Sequence, residues 1–421
     1  MKSGTSRFCM KLRSMLNDEQ FINESKKRKQ DFIRTRKFGF ADTVGIILSK
    51  TGKGIKSAVR AFKESVGREN ISYSQQAFSK GRTRIKWEAF RALHNVSVTE
   101  FYDNFEVKKY RGYRVCAIDG SKINLPYHSE TASVFGVLSF SNDQTQALCS
   151  CMCDVLNNVV IDAVLEQGNA SERKLADQHV TYLSEINNDK ELLLFDRGYI
   201  SSGLMKHIED NHFSYVMRVT EHSIKKMLAK VKSKDEILTH TFFDSKISLT
   251  LRLLKLEIPG TDTIEYLLTN ILDPQFTPAD FLKIYHMRWG IESRYDDLKN
   301  KLFLENFTGI TPLAIRQDFY ATMLLLNMAA MIANENEDEI NRLHNTGNNT
   351  YFYKANINQI ISLMKTNVIK MVMYSGTRKG NRLLKYIYNE VRSAVVPVRP
   401  GRSFPRAKKH PHNKFAQNLH S

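Results

Sequence analysis

Three carboxylates, Asp119, Asp196 and Glu292, hold positions that suit chemistry. Asp119 follows the β-rich run Tyr113–Ile118, and Asp196 follows the wholly apolar run Leu192–Phe195. Ligands collect at strand ends in open α/β sheets. Two carboxylates at neighbouring strand ends repel each other unless a cation lies between them. Taken singly, an Asp in such a place more often caps or turns the chain. Glu292 lies in KIYHMRWGIESRYDDLKNKL. With Tyr285 at zero and about 100° per residue, Arg288, Glu292 and Lys299 fall near 300°, 340° and 320°. The four form a stripe beside an apolar side made of Ile284, Met287, Ile291, Leu298, Leu302 and Tyr295. A carboxylate set among cations suits a metal next to a phosphate backbone. Glu292 would hold the ion, while the Arg288 fork and the Lys299 point charge would hold phosphate oxygens. A solvated face with incidental ion pairs has the same periodicity.

The elements that must position these residues can be read around them. After Tyr113–Ile118, Thr145–Leu156 and Val159–Gln167 read as strands joined by a tight Asn157-Asn158 turn. Ser171–Ile186 has helical spacing, Leu192–Phe195 reads as a buried parallel strand, a helix follows near 201–210, and Phe213–Val219 is again a strand. The order predicts a mixed sheet with helices on its faces. Residues 221–271 hold only short β runs, Ile237–Phe243, Ile247–Lys255 and Ile264–Leu268, and read as a β-rich insertion. Beyond Asp273-Pro274 a helix is expected to about Phe303, with Thr277 as N-cap, Pro278 in its first turn and Asp280 favoured there by the dipole. Further helices are expected near 312–334 and 356–373.

The ends of the chain differ from its centre. Of 421 residues, 62 are Lys or Arg and 44 Asp or Glu, for a net charge of +18. Residues 1–110 carry 24 basic and 11 acidic residues, and 371–421 carry 11 and one, whereas 111–370 are net acidic by five. Basic ends attract a polyanion; the centre leaves room for an acidic site. Residues 1–40, with KKRK at 26–29, read as a fraying arm or short helix, and the last forty as a weakly ordered tail. The stretch Ser74–His94 reads as two short helices around Gly81. It is either a helix-turn-helix laying Lys86, Trp87 and Arg91 on DNA or an ordinary helical hairpin. Five cysteines, an odd and sparse set, predict reduced thiols and a cytoplasmic protein; Cys149, Cys151 and Cys153 alternate and read as strand packing. No apolar run of roughly 18 residues and no cleavable leader are seen, so neither a membrane span nor secretion is expected. GKGIKS at Gly52–Ser57 lacks the ending of a phosphate-binding Walker loop.

The spacing Tyr285-x2-Arg288-x3-Glu292-x6-Lys299 resembles the Tyr-Arg-Glu-Lys signature of bacterial insertion-sequence transposases of the DDE type. Ile118-Asp119-Gly120 with Leu125-Pro126, and Asp196-Arg197-Gly198-Tyr199, resemble that group's other blocks. The likeness covers about residues 112–305. It implies a ribonuclease-H-like α/β fold with a β-rich insertion. A helical, basic, DNA-binding region would occupy 1–110, the core 111–220 and 272–310, the insertion 221–271, C-terminal helices 311–375 and a basic tail 376–421. It also implies that Asp119, Asp196 and Glu292 bind two divalent ions, Mg²⁺ or Mn²⁺, hard ions suited to oxygen ligands. Tyr285, Arg288 and Lys299 would contact DNA. The implied reaction is cut-and-paste transposition: end cleavage, a hairpin intermediate and strand transfer by a homodimer on terminal inverted repeats and target DNA. Some relatives stack an aromatic from the insertion on a flipped base. Tyr266 lies near that place, but the local match is loose and ordinary strand packing accounts for it better. Two alternatives stay open, a repurposed DNA-binding protein without catalysis and a metal-dependent nuclease of the same fold.

Overall fold

The computed structural model describes residues 3–33, 38–49, 54–138, 141–186, 190–243, 245–258, 263–347 and 350–399. The chain divides into two compact units, one of Val107–Ile123 with Ala147–Tyr295 and one of Met1–Glu106, Asn124–Gln146 and Asp296–Ser421.

Among the described residues nine strands make one sheet: β1 (Arg114–Leu125), β2 (Val137–Leu138), β3 (Ser141–Asp154), β4 (Val159–Gln167), β5 (Glu191–Phe195), β6 (Ser214–Val219), β7 (Asp235–Thr241), β8 (Ser248–Glu257) and β9 (Ile264–Thr269). Their order is β2-β3-β1-β5-β6-β9-β8-β7, with β4 also paired to β3. β1, β5 and β6 run parallel, and the β3–β4 and β6–β9–β8–β7 pairings are antiparallel. This is the mixed sheet expected from the strand and helix order. The short β runs of 221–271 do not fold apart from it: β9 pairs with β6, Val219 facing Tyr266, so they lengthen the same sheet. Tyr266 sits in mid-strand between Val219 and Lys255, half-buried, as strand packing requires.

Two features fix the parallel centre. All five residues of β5 are buried, as a strand covered on both faces must be. Arg114 and Glu191, paired across β1 and β5, form a buried two-pronged ion pair with contacts of 2.6 and 3.1 Å. The β3–β4 connection is longer than the two-residue turn expected, running over 155–158. The buried Asp154 carboxylate accepts from the Leu156 and Asn157 amides, and Asn158 takes the positive φ that the reversal needs.

The other unit is largely helical. Pro312–Glu335 is buried almost without a break from Ala314 to Ile332, as a helix apolar all round must be. The N-terminal residues are no fraying arm. Gly4–Leu16 is a core helix burying Phe8, Cys9, Leu12 and Leu16, and the Glu335 carboxylate accepts from its first amides, Gly4 at 2.9 Å and Thr5 at 3.2 Å. The helices Gln75–Arg82 and Glu88–Asn104 meet after Arg82 and not at Gly81. Trp87 is stacked on Tyr320 with ring centres 5.4 Å apart, and Arg316 covers it, so its faces are spent on packing. The expected tail is in part structured: Arg378–Ser393 is an amphipathic helix burying Leu384, Ile387 and Val391, and Val395–Val398 pairs with Phe352–Ala355. The remainder of that tail, 400–421, lies outside the described residues.

Candidate functional site

The register of β1 and β5 places the first two carboxylates. Ala117 faces Leu194 in the last pair of the parallel ladder. Two residues further along each strand, just past that last pair, come Asp119 and Asp196. Asp119 does not end its strand, because β1 continues to Leu125 as a neighbour of β3. Asp196 does end β5, and the chain then turns through the 3-10 turn Arg197–Tyr199.

Asp119 is largely buried, and burial pushes its carboxyl up to about 6. The Gly120 amide, donating to its Oδ1 at 2.9 Å, and the nearby Arg288 charge hold it down in part; the Glu172 and Asp196 charges raise it. Asp196 accepts from the Tyr285 hydroxyl at 3.3 Å. Burial pushes that phenol to about 12, with Arg288 opposing.

Glu292 arrives on a segment less regular than the single helix expected. Thr277 caps the helix Pro278–Met287 in a reciprocal box with Asp280, and that end matches the expectation. The helix then breaks at Arg288. The Arg288 and Ile291 amides bond three residues back, and a new helix, Trp289–Asp296, begins. Gly290 lets the segment close on Val155, whose Cβ would lie 3.0 Å from any side chain added there. A π-helical turn, Asp297–Lys301, follows. The four-residue stripe therefore does not run along one regular helix. Tyr285, Arg288 and Glu292 belong to the sheet-bearing unit, whereas Lys299 belongs to the helical one.

Arg288 is buried, not on an open ridge, and its Nη2 donates to Glu292 Oε1 at 3.0 Å. Burial works against its charge, but Tyr285, Asp196 and Glu292 outweigh this and raise its pKa. One guanidinium thus lies within electrostatic reach of all three carboxylates. Among the described residues no three acidic, His or Cys side chains converge closely enough to grip an ion as they stand. In kind the residues suit a hard cation: oxygen donors only, two of them on adjacent strands.

Three further residues border the acids, and sequence reading did not single them out as site residues. The Tyr295 hydroxyl reaches the carbonyl oxygens of Asp119 (2.7 Å) and Cys149 (3.0 Å), tying the Glu292 helix to β1 and β3. Tyr199 is buried beside Asp119, Glu172 and Asp196; burial, then those charges, drives its phenol far up. A hydrogen bond to Glu172 raises it further. Glu172 opens the helix Glu172–Ile186 and lies against Gly120. Its place at a helix start is readable from sequence, but its meeting with β1 is a tertiary event no spacing reports.

The family model for the transposase DDE domain matches residues 110–328. No curated protein matches the chain. Among solved structures the chain is similar to the cryo-EM structure of the piggyBac transposase synaptic complex with hairpin DNA, at 12% identity and a TM-score of 0.48, covering 96% of this chain and 88% of that one.

Proposed function

This chain belongs to the transposase DDE domain family, and on that premise we propose that it is an insertion-sequence transposase of the Tyr-Arg-Glu-Lys group that cuts element ends and joins them to target DNA. Asp119, Asp196 and Glu292 are the carboxylates we assign to divalent-ion binding. The ions, Mg²⁺ or Mn²⁺, would supply Lewis acidity to activate a water or 3′-hydroxyl and to stabilise the leaving oxygen. The observation that carries the reading is the placement of Asp119 and Asp196 on adjacent parallel strands, with Glu292 joined to them through Arg288.

The chain's own residues prepare that chemistry. Tyr285 orients the Asp196 carboxylate by donating to it. Arg288 neutralises the acids and holds Glu292 back. A DNA phosphate meeting Arg288 would take over the pairing that Glu292 now satisfies, and so free Glu292 for the ion. Tyr285, Arg288 and Lys299 are assigned to the DNA backbone, Arg288 by its fork and Lys299 as a point charge. Double-stranded DNA with terminal inverted repeats, a hairpin intermediate and a homodimer complete the proposal.

The test is incubation of the purified protein with Mg²⁺ and labelled linear DNA carrying the source element's ends. Nicks exposing 3′-hydroxyls, then hairpins and strand-transfer products, are expected. Asp119→Ala, Asp196→Ala and Glu292→Ala should each abolish cleavage and leave end binding nearly intact. Substantial cleavage by any of them removes that residue from the site. Cleavage by the wild type without joining would make the protein a nuclease.

A further inference from the structure

We propose that the tip of the β7–β8 hairpin is a docking surface for duplex DNA, with Lys225, Lys226 and Lys230 on phosphates and Phe243 as an apolar wedge in the minor groove; this rests on the reading above that DNA is the partner. The centre of the chain is net acidic, yet residues 222–234 hold Lys225, Lys226, Lys230, Lys232 and Lys234 and no acid. The acids that follow are already engaged. Asp235 pairs with Arg252 at 2.6 Å and Glu257 with Lys234 at 2.6 Å, while Glu236 accepts from the Lys232 and Ser233 amides. Among the described residues Lys225, Lys226 and Lys230 are exposed and enter no ion pair.

The fold turns this run of charge into a surface. The Phe242 amide donates to the Ile247 carbonyl at 2.8 Å and the Lys246 amide to the Phe242 carbonyl at 2.9 Å, closing the turn that carries Phe243. Lys226 Nζ lies 5.6 Å from the centre of the Phe243 ring. The Lys230 and Lys226 charges both act on His240, whose ring meets Phe242 edge-on at 4.9 Å. Ser245 Oγ, in the same turn, lies 2.8 Å from Ser202 Oγ. Ser202 opens the helix Ser202–Asp210, six residues after Asp196, and Lys226 follows the end of β6 by seven. Both contacts put the tip where β5 and β6 finish, the end of the sheet that carries Asp196. A duplex held there lies beside the candidate site.

Lysines near an edge strand also guard it against pairing with other chains. β7 is the edge of the sheet, and that accounts for Lys232 and Lys234 at its start. It does not account for Phe243, which at 85% is the most exposed large apolar side chain among the described residues. A guard against adhesion has no use for a bare ring. An apolar side chain flanked by cations suits the minor groove, the ring entering between base steps and the cations meeting the phosphates on either side. Phosphate contacts carry no sequence information, so a random duplex is a sufficient ligand.

The experiment is fluorescence anisotropy of the full chain with a labelled random duplex over a series of salt concentrations, folding being checked by circular dichroism. The substituted side chains are exposed, so the variants keep the fold. Lys226→Gln with Lys230→Gln should flatten the slope of log affinity against log salt by about 2. Phe243→Ala should weaken binding roughly tenfold or more, the worth of a buried Phe, and leave the slope as it is. Lys190→Gln, just before β5 and so at the other end of that strand, should bind as wild type does. A wild-type slope in the double variant, wild-type affinity in Phe243→Ala, or an equal loss per charge in Lys190→Gln overturns this proposal; cleavage of element ends by the wild type then leaves the transposase reading standing. A wild type that neither binds the duplex nor cleaves element ends overturns both.

Discussion

Asp119 is the residue whose environment makes the sharpest demand. Burial lifts its carboxyl from 3.8 to about 6, so the folded state holds the proton more tightly than the unfolded chain does. The sign follows from linkage. Below about pH 4 both states are protonated and there is no penalty; as pH rises from there through 6 stability is lost, and above 6 the full cost of a buried charge is carried. At about 1.4 kcal/mol per unit, that cost is of the order of 2–3 kcal/mol. Asp119→Asn should therefore melt higher than wild type at pH 8 in the presence of a chelator, with the gap closing towards pH 4. A variant that melts lower at pH 8 would make Asp119 a structural hydrogen-bonding residue, held by the Gly120 amide. The residue types and spacings of Asp119, Asp196 and Glu292 stood out in the sequence because strand ends and a cationic stripe are local patterns. Glu172 did not, nor did the meeting of Tyr199 and Tyr295 with Asp119, because these contacts join elements distant in the chain. The burial of Arg288 was equally hidden: a helical wheel reports an angle, not what covers it.

At the scale of elements, the site depends on register. One residue of slip between β1 and β5 would send Asp119 or Asp196 to the opposite face. The Arg114–Glu191 pair sits near the start of that ladder and is buried on both sides, 3% and 0% exposed at the side chains. Burial raises the Glu191 carboxyl despite the Arg114 charge, so the pair is not ideally compensated. Arg114→Met would leave the buried Glu191 carboxylate without its guanidinium, at a cost of about 3–5 kcal/mol. Arg114→Met with Glu191→Leu should recover most of it. Urea unfolding of the two variants checks this, and a single-variant loss below about 1 kcal/mol, the range of exposed pairs, would show that apolar packing alone sets the register. The strands were legible because β5 is an unbroken apolar run and β6–β9 carry β-rich patterns. The segment after Thr277 was legible only at its start. Its cap is written in Thr277, Pro278 and Asp280, whereas no local spacing marks its break at Arg288 or its π turn at Asp297–Lys301. Those interruptions change the phase between Glu292 and Lys299, which a uniform period assumes constant.

Across the whole molecule, charge is divided between the ends and the centre of the chain. The net-acidic stretch 111–370 includes the three acids, and the basic excess lies before residue 111 and after 370. An acidic site needs its own field to attract a cation, and a polyanionic partner needs cations elsewhere in the chain. Separating the two in sequence serves both. Among the described residues no helix is long and apolar enough to cross a membrane. Part of the C-terminal excess is committed to structure, since Arg378–Ser393 is a packed helix whose Arg392 donates to Asn336. The excess beyond residue 399 comprises Arg402, Arg406, Lys408, Lys409 and Lys414 with no acid among them. Each cation that displaces a counterion from duplex DNA adds about 0.9 to the slope of log affinity against log salt. Ending the chain at residue 399 should therefore flatten that slope by up to about 4 and weaken binding to DNA of any sequence, most strongly at low salt. Fluorescence anisotropy with a random duplex between 50 and 200 mM salt, about the range over which such losses are largest, reads it directly. An unchanged slope would show that these five cations meet no phosphate, and that the charge holding DNA lies before residue 399.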